Sequence, residues 1–413
     1  MADGADRVIV VGAGPVGLVA TAALVAEGIP VTTLEATPDL AEDLRASTFH
    51  PPTLDMLDRF GISDQLVARG LVCRHWQFRD RREGVVATFD MALLEGETRH
   101  PYRLQCEQWK LTEALRALVD AHPDAELVTD ARVEEVTQDD SGVTAVARRP
   151  DGSRDSFRGR FLIGADGARS TVRRCVGARF DGLTIPEIYL TLSTPFPFHE
   201  VMEDLANIAY ISDPAEWLVL LRTPSLWRVL LPTDPALSDE EIVAPDRVEA
   251  RLQGVVATGR RYEVVHRTAY RVHERVADRY VWGRIFLAGD AAHINNPLGG
   301  MGMNGGIHDA VNLTGKLAEV WRGAPLALMG RYERQRRKVA LETVQAQALR
   351  NREMLNAADP ERRRAYHDEL RAIVADPARH KAHLMRSAMI QSLRDLEAVE
   401  SGRIRSRGLN STP

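Results

Sequence analysis

Two apolar runs separated by a stretch of helical spacing open the chain. Residues 7–11 form a short β-branched run, residues 16–27 have the periodicity of a helix, and residues 30–35 form a second run. A strand, a helix and a strand in this order indicate a βαβ unit with two parallel strands covered by helices. Further strands are predicted at 127–129, 132–137, 143–148 and 161–164, and further helices at 52–60 and 109–121.

The pattern changes between residues 188 and 232, where short apolar segments alternate with turns. Strands predicted at 188–193, 208–212, 217–221 and 227–231 indicate an inserted antiparallel sheet, covered by a helix at 245–254. A buried strand at 285–287, a long helix at 303–322 and charged helical sequence beyond 330 follow. We therefore predict three regions: 1–73 with 100–180 and 270–330, 74–99 with 181–269, and 331–413.

Composition excludes several classes of protein. The 413 residues are 44% hydrophobic and 27% charged with a net charge of -5, so the basic surplus of a nucleic-acid binder is absent. The three cysteines lie far apart, which predicts neither a disulfide framework nor a metal site. We see neither a basic leader nor an apolar run of about 20 residues, so no membrane partner is expected and a cytoplasmic protein is predicted.

The first loop of the βαβ unit carries a G-x-G-x-x-G motif. Gly12 permits a tight turn, Gly14 lets a pyrophosphate approach the backbone, and Gly17 allows close packing of helix on sheet. The helix N-terminus offers free N–H groups to phosphates, and Glu35, at the end of the second strand, can accept hydrogen bonds from ribose hydroxyls. The alternative is an ordinary glycine turn. The residues predicted to bind a dinucleotide are Gly12, Gly14, Pro15, Val16, Gly17, Glu35 and Ala36.

Two later segments separate FAD from NAD. Residues 161–170 are an apolar strand that runs into an Asp-Gly turn, and residues 285–293 are a strand that ends in Gly-Asp. With the glycine motif they resemble the para-hydroxybenzoate hydroxylase family of single-component flavoprotein monooxygenases, over about residues 7–330. The resemblance implies an α/β fold: a Rossmann-type FAD-binding domain with a parallel sheet, an inserted antiparallel-sheet substrate domain and C-terminal helices. It also implies non-covalent FAD and a transient NADH or NADPH.

By the same resemblance, FAD contacts are assigned residue by residue. Asp290, after Gly289, should bind the ribityl chain, and Asp166 with Gly167 should lie near the pyrophosphate. Arg45 matches an arginine that touches the pyrophosphate and the moving flavin, and Gln108 matches a glutamine that contacts FAD. The alternative for Arg45 and Gln108 is ordinary surface polarity.

The segment 297–306 is rich in glycine and opens the long helix. Gly300 and Gly302 remove side chains where the backbone would lie against a planar ring. The N–H groups of Met303 and Asn304 would face the N1 and C2=O edge of the isoalloxazine, where a helix N-terminus stabilises negative charge. By resemblance, Pro297 lines the ring with its carbonyl toward the substrate.

Substrate contacts are assigned on the inserted sheet. The resemblance places Tyr210 where a tyrosine helps ionise a phenol, Arg222 where an arginine holds a carboxylate, and Arg228 near the flavin. A leucine replaces the neighbouring serine of the family, which argues against a benzoate-like substrate. His273 is a candidate proton acceptor. The alternatives are an aromatic residue on a half-buried strand for Tyr210 and a structural histidine for His273.

The function expected from the resemblance is hydroxylation of a small aromatic ring, phenolic or N-heteroaromatic and including acidic ones. NAD(P)H reduces FAD, and the reduced flavin with O2 forms a C4a-hydroperoxide that transfers oxygen. The alternatives are a reductase or a halogenase on the same scaffold, although the Trp-x-Trp-x-Ile-Pro segment of such halogenases is absent. From another class, a non-catalytic FAD-binding sensor or structural protein remains open. The apolar face of the C-terminal helices suggests packing on the flavin domain or in a homodimer.

Overall fold

The computed structural model describes residues 6–40, 46–214, 216–345, 350 and 359–398. The strands in these residues are β1 Val8–Val11, β2 Val31–Leu34, β3 Thr48–Phe49, β4 Leu71–Cys73, β5 His75–Asp80, β6 Gly84–Asp90, β7 Arg103–Gln105, β8 Ala125–Val128, β9 Arg132–Gln138, β10 Val143–Arg148, β11 Arg154–Gly159, β12 Phe161–Gly164, β13 Phe180–Thr194, β14 Ile208–Ser212, β15 Leu218–Arg222, β16 Trp227–Thr233, β17 His266–Ala277, β18 Val281–Trp282, β19 Ile285–Leu287 and β20 His293–Ile294.

The α-helices are α1 Pro15–Val25, α2 Pro51–Asp58, α3 Ser63–Arg69, α4 Gln108–Asp120, α5 Thr171–Cys175, α6 Phe198–Val201, α7 Asp239–Ile242, α8 Pro245–Val255, α9 Met301–Trp321, α10 Met329–Lys338, α11 Pro360–Ala375, α12 Pro377–Ser387 and α13 Ile390–Ala398. Short 3₁₀ turns occupy Met91–Leu94, Gly289–Ala291 and Leu326–Leu328, and Val339–Gln345 is a π-helix.

A six-stranded sheet forms the first layer, in the order β18-β19-β12-β1-β2-β8. Its central pairs are parallel, and only β18 runs antiparallel to its neighbour. Every residue of β1 is buried because both faces of the strand are covered, as in parallel sheets generally. Helix α1 packs on this sheet through the run from Leu18 to Val25. The predicted βαβ start and parallel sheet are confirmed.

An eight-stranded sheet in the order β20-β17-β13-β16-β15-β14-β5-β6 forms the second layer. Its pairs are antiparallel except for β14 and β5, which run parallel. Because side chains alternate along a strand, the sheet has two faces. The outer face carries Leu190, Leu192, Leu218, Leu220 and Val229 and packs on α8. The inner face carries Trp76, Phe78, Tyr189, Tyr210 and Val219 and packs on Leu298 of the glycine-rich loop and on the C-terminal helices.

Several predicted strands have the bounds that the structure shows, but β5, β6, β11 and β17 were not predicted as strands. Strand β17 reads HRTAYRVHERVA, and its charged residues hide the alternation that pairing with β13 imposes. Because β17 runs from residue 266 to 277, it crosses the predicted boundary at 270. The division of the chain into three regions therefore stays a prediction.

The C-terminal helices pack on the rest of the chain. Leu384 and Ala388 join the apolar cluster of the inner face, while Leu393 and Leu396 contact a cluster with Met301 at the start of α9. Asp359 caps the helix that begins at Pro360. Leu393 and Leu396 therefore pack on the predicted flavin region, whereas Leu384 and Ala388 pack on the eight-stranded sheet.

Gly315 allows a test of how glycine affects the stability of helix α9. It is exposed within the helix, and a Cβ placed on it would meet no atom within 4 Å. We expect Gly315→Ala to raise the free energy of unfolding by about 0.5–1 kcal/mol, because alanine loses less conformational entropy in a helix. Gly28→Ala is the matched control: its surroundings are equally open but its φ is +73°, so the variant should lose about 1–2 kcal/mol. Urea unfolding of both variants measures the difference, and equal effects would contradict it.

Candidate active site

The loop between β1 and α1 has the close contacts that the glycine motif predicts. A Cβ on Gly12 would lie 2.5 Å from the carbonyl oxygen of Ala165, and one on Gly17 would lie 1.9 Å from that of Gly12. A Cβ on Gly14, by contrast, would meet nothing within 4 Å. Gly14 is the N-cap of α1, with Pro15 in the first turn and the half-buried Val16 behind it. Open space beside a helix N-terminus fits a pyrophosphate.

Glu35 lies directly after β2, beside this loop. Its Oε2 accepts a hydrogen bond from the Ala13 N–H at 2.8 Å, and its Oε1 accepts bonds from the N–H and the hydroxyl of Thr37 at 3.0 and 2.8 Å. Glu35 and Ala36 are half-buried. The carboxylate is therefore held against the glycine loop, where it retains lone pairs for a ribose hydroxyl.

The Asp-Gly turn after β12 packs against the same loop, because a Cβ on Gly12 would also lie 3.0 Å from the Cα of Asp166. The carboxylate of Asp166 accepts hydrogen bonds from the N–H groups of Thr171 and Val172, so it caps α5. Gly167 has a φ of +76° and an open Cβ position. The structure thus places this turn at the loop, but its carboxylate serves the local helix.

The turn after β19 carries Gly289 and Asp290, and Arg173 joins it to the Asp166 turn. The guanidinium of Arg173 donates to the carbonyl oxygens of Ala291 at 2.9 Å and Ala168 at 2.7 Å. Gly289 has a φ of +61°, and a Cβ there would lie 2.8 Å from Val16. Asp290 is exposed. No sequence motif points to Arg173, because it is a lone arginine in a short helix.

The glycine-rich segment after β20 turns sharply into α9. Gly300 is the N-cap with a φ of +66°, and its N–H donates to the carbonyl oxygen of Pro297 at 3.0 Å. The buried Asn304 side chain accepts from the N–H of His50 at 2.9 Å and donates to the carbonyl oxygen of Thr48 at 2.8 Å. Asn304 therefore fixes the N-terminus of α9 to β3. Gly302 and Met303, in the first turn, are half-buried.

The chain beside β3 brings two further predicted residues together. The Arg228 guanidinium donates to the Ser47 hydroxyl at 3.3 Å, and the Gln108 N–H donates to the carbonyl oxygen of Ala46 at 3.1 Å. Arg45 lies outside the described residues, two positions before Ser47. Arg228 and the start of α4 thus contact residues 46–47, directly before the residues that hydrogen-bond to Asn304.

The predicted substrate residues do not all meet. Tyr210 is half-buried on the inner face, edge-on to Trp76 with ring centroids 5.8 Å apart. Arg222 lies opposite Trp227, an outer-face residue, and donates to the Asn207 side chain at 3.4 Å. His273 follows Ala269 by four residues on β17, so alternation places it on the outer face as well. The structure therefore does not bring Arg222 or His273 to Tyr210.

Around Tyr210 the inner face is aromatic. The Trp76 ring stacks on Phe89 at 4.0 Å and lies 5.9 Å from the ring of His383 on α12. Arg103, on β7, covers Trp76 with its Cζ 5.0 Å from the ring centroid. Trp76, Arg103 and His383 were not predicted as site residues, since they come from three separate elements and no sequence spacing joins them.

A buried ionic network lies behind the turn at Gly289. Asp309 on α9 accepts hydrogen bonds from the Gly289 N–H at 3.0 Å, from His293 at 2.7 Å and from Arg336 of α10 at 2.5 Å. The Arg336 guanidinium and the imidazole of His293 hold the pKa of Asp309 at about 2, against the opposing effect of burial. Asp309 is thus an ionised carboxylate that fixes the turn preceding Asp290. His293 thus has a buried partner in Asp309 and belongs to this network.

Comparison with known proteins identifies the family. The family described as FAD binding domain matches residues 6–347, well over half of the chain. The para-nitrophenol 4-monooxygenase of Pseudomonas sp. (strain WBC-3) is 35% identical over 412 residues, which cover 98% of this chain and 99% of that protein. This chain is an FAD-dependent aromatic monooxygenase of the para-hydroxybenzoate hydroxylase type. The predicted fold, cofactor and reaction class are confirmed.

Two further relatives support this assignment. The crystal structure of a p-nitrophenol 4-monooxygenase from Pseudomonas putida DLL-E4 matches with a TM-score of 0.88 and 32% sequence identity. The match covers 94% of the present chain and 98% of the chain in that crystal structure. The 6-hydroxy-3-succinoylpyridine 3-monooxygenase of Pseudomonas putida (strain DSM 28022 / S16) is 34% identical over 348 residues, which cover 84% of this chain and 88% of that protein. Among the helices of the described residues, none has the length and apolar character needed to cross a membrane.

A buried histidine makes the stability of the monooxygenase depend on pH. The His308 ring is buried, with its Nε2 2.9 Å from the Thr53 hydroxyl, and burial followed by the charge of Arg336 lowers its pKa to about 3. The unfolded chain binds a proton near pH 6.5, and the native state does not until about pH 3, so stability falls as pH drops between these values.

We therefore expect His308→Gln to lose less stability than the wild type on acidification. The difference should be about 1 kcal/mol between a pH of about 6 and about 5. Thr53→Val is the control: it removes the hydrogen bond but keeps the titrating ring, so it should lower stability while retaining the wild-type slope. Urea unfolding at both pH values measures this, and identical slopes for His308→Gln and the wild type would contradict the expectation.

Proposed function

We propose that this monooxygenase hydroxylates a small ring that carries a hydroxyl group, a phenol or a hydroxylated N-heteroaromatic, with NADH or NADPH and O2 as co-substrates. The observation that carries the proposal is the aromatic inner face around Tyr210 and Trp76. This face packs on Leu298, which belongs to the glycine-rich segment that opens α9. An apolar, ring-lined surface beside the predicted flavin contact suits a flat aromatic substrate.

The residues present fit FAD. The Gly12–Gly17 loop and the N-terminus of α1 would hold the pyrophosphate, Glu35 the adenosine ribose, Asp290 the ribityl chain, and the first turn of α9 the ring. When bound, FAD supplies hydride acceptance and oxygen activation. The open Cβ position at Gly14 and the left-handed turn at Gly300 let the backbone come close to such a group.

The names of the relatives support a hydroxylated ring. They act on para-nitrophenol, 6-hydroxy-3-succinoylpyridine and, in the case of a relative from Sphingobium chlorophenolicum, pentachlorophenol. Each of these compounds is an aromatic ring that carries a hydroxyl group. In this chain Tyr210 would bind the hydroxyl, while Trp76 and Leu298 would exclude water from the ring. Pro297 remains a candidate for a backbone contact with the substrate.

The test is NAD(P)H oxidation by the purified flavoprotein in air, with phenols, hydroxypyridines, anthranilates and quinolones, while H2O2 is trapped. A substrate should speed oxidation by about tenfold or more, which is about 1.4 kcal/mol of barrier, with little peroxide. If no ring compound stimulates oxidation, or if every electron is recovered as peroxide, the proposal fails. Turnover without O2 would instead favour the reductase alternative.

Location and assembly belong to the same proposal. We infer a cytoplasmic enzyme from its three free thiols, two buried and one exposed, which suit a reducing compartment. We also infer a homodimer, and light scattering after gel filtration tests it. A single species at the monomer mass would contradict the dimer.

A further inference from the structure

Among the residues that the structure describes, Arg103 is a buried cation without a partner of opposite charge. Its side chain lies on β7 and the residue is only 3% exposed. Its Nε and Nη1 donate no hydrogen bond, and its Nη2 donates one long bond, to the carbonyl oxygen of Ser387 at 3.4 Å. Within the part of the chain that the structure describes, no carboxylate forms an ion pair with it. Arg336, which is 1% exposed, is by contrast paired with Asp309 at 2.5 Å.

Such a group is costly. A guanidinium stays protonated in proteins, so burying one means burying a charge. A buried charge whose partner is missing destabilises a protein strongly. Stacking on Trp76 offsets only part of this cost, since cation–π contacts contribute about 1–2 kcal/mol. A position that keeps such a residue points to a negative charge supplied from outside the chain.

The groups around Arg103 define which anion fits. Trp76, which the guanidinium covers, also buries its indole N–H without an acceptor. The rings of Tyr210 and His383 pack against the same indole ring, with centroid-to-centroid distances of 5.8 and 5.9 Å. Hydrogen-bond donors and one positive charge thus meet at an aromatic surface. An oxyanion attached to an aromatic ring satisfies both features.

The neighbouring titratable groups do not compete for this role. Burial, with smaller contributions from Arg386 and Arg103, lowers the pKa of His383 to about 4, and burial with Arg103 lowers that of His50 to about 3, so both rings are neutral near pH 7. Burial raises the pKa of Cys73 to about 12, so it stays a thiol. Arg222 acts on Cys73 and Arg386 acts on His383, so these two further charges near the site are positive as well.

We propose that Arg103 binds the anionic oxygen of the aromatic substrate, so that the enzyme takes phenols from solution as phenolates. The proposal rests on the proposed function and adds the residue that selects acidic phenols. An ionised phenol is also the more nucleophilic ring. Arg222, which the sequence analysis assigned to an acidic substrate group, lies opposite Trp227 of the outer face and is the less suitable arginine.

The experiment measures binding without turnover. The FAD-loaded enzyme is titrated with para-nitrophenol, whose phenolate absorbs visible light and whose neutral form does not, about one pH unit below the pKa of the free phenol. The wild type should bind it as phenolate. Arg103→Met should raise Kd by about tenfold or more and remove the phenolate band. Arg103→Lys should retain the band with a weaker Kd.

Two controls separate charge from shape. Arg160→Met removes another guanidinium that lies over a tryptophan, 4.2 Å from the Trp321 ring in the flavin-binding sheet region, and should bind as the wild type does. Para-nitroanisole has the same ring without an ionisable hydroxyl, so Arg103→Met should bind it as well as the wild type. Retained FAD and an unchanged or higher thermal midpoint would show that Arg103→Met is folded.

The proposal is overturned if Arg103→Met binds the phenolate with wild-type affinity, or if it loses para-nitrophenol and para-nitroanisole equally. Either result leaves the proposed function standing, because oxidation of NAD(P)H by the wild type tests that separately. Conversely, a wild type that binds the phenolate but is stimulated by no ring compound would reject the proposed function alone.

Discussion

Gly17→Ala is expected to abolish FAD binding. The added Cβ would lie 1.9 Å from the carbonyl oxygen of Gly12 and 3.4 Å from the Val10 side chain, far inside any normal contact with the oxygen. The clash is between two parts of the backbone, so α1 must move away from β1 and the loop must change shape. Overpacking of this kind costs about 3 kcal/mol or more, and the affinity for FAD should fall at least about a hundredfold.

Gly14→Ala is the matched variant. Its backbone φ is -70°, and the new Cβ would meet no protein atom within 4 Å, so the apoprotein should fold and melt as the wild type does. The methyl group would occupy the space assigned to the pyrophosphate, so FAD affinity should fall although stability does not. Flavin fluorescence titration and thermal unfolding of the apoprotein measure the two effects. If Gly14→Ala binds FAD with wild-type affinity, the pyrophosphate does not lie beside Gly14 as predicted. If Gly17→Ala is stable and binds FAD, the argument from close packing at Gly17 is wrong.

The glycines of the loop between β1 and α1 show why the dinucleotide-binding loop could be predicted from the sequence. Gly12, Gly14 and Gly17 are close in sequence, and the strand before them and the helix after them are set by local apolar periodicity. The spacing of these glycines in the sequence therefore predicts the backbone conformation of the loop. Strand β17 is the opposite case, because its arginines and histidines hide the apolar alternation and pairing with its neighbours makes the segment extended.

The substrate-binding residues were harder to predict, because their positions depend on strand register and on contacts between distant elements. Arg222 was assigned by counting along a strand from a family pattern, and a shift of one residue exchanges the two faces of a sheet. The structure pairs Arg222 with Trp227 and leaves the inner face to Leu221 opposite Arg228. Arg103, Trp76 and His383 come from β7, β5 and α12, so only the tertiary fold brings them together.

Asp309→Leu is expected to destabilise the enzyme by about 3–5 kcal/mol, because it leaves the Arg336 guanidinium, which is 1% exposed, without its counter-charge. It also removes the acceptor for the Gly289 N–H, so FAD affinity should fall together with stability. The exposed pair of Arg261 and Asp246 supplies the control: Asp246→Asn should change stability by less than about 0.5 kcal/mol.

The double variant Asp309→Leu with Arg336→Met decides whether charge is the cause. Because it removes both buried charges and replaces them with apolar groups of similar size, it should be more stable than either single variant. Urea unfolding of all four proteins at saturating FAD gives the coupling energy of the pair. Additive losses would mean that Asp309 acts through packing and through the Gly289 N–H rather than through Arg336. In that case FAD affinity would stay low in the double variant as well, since the turn before Asp290 would still lack its acceptor.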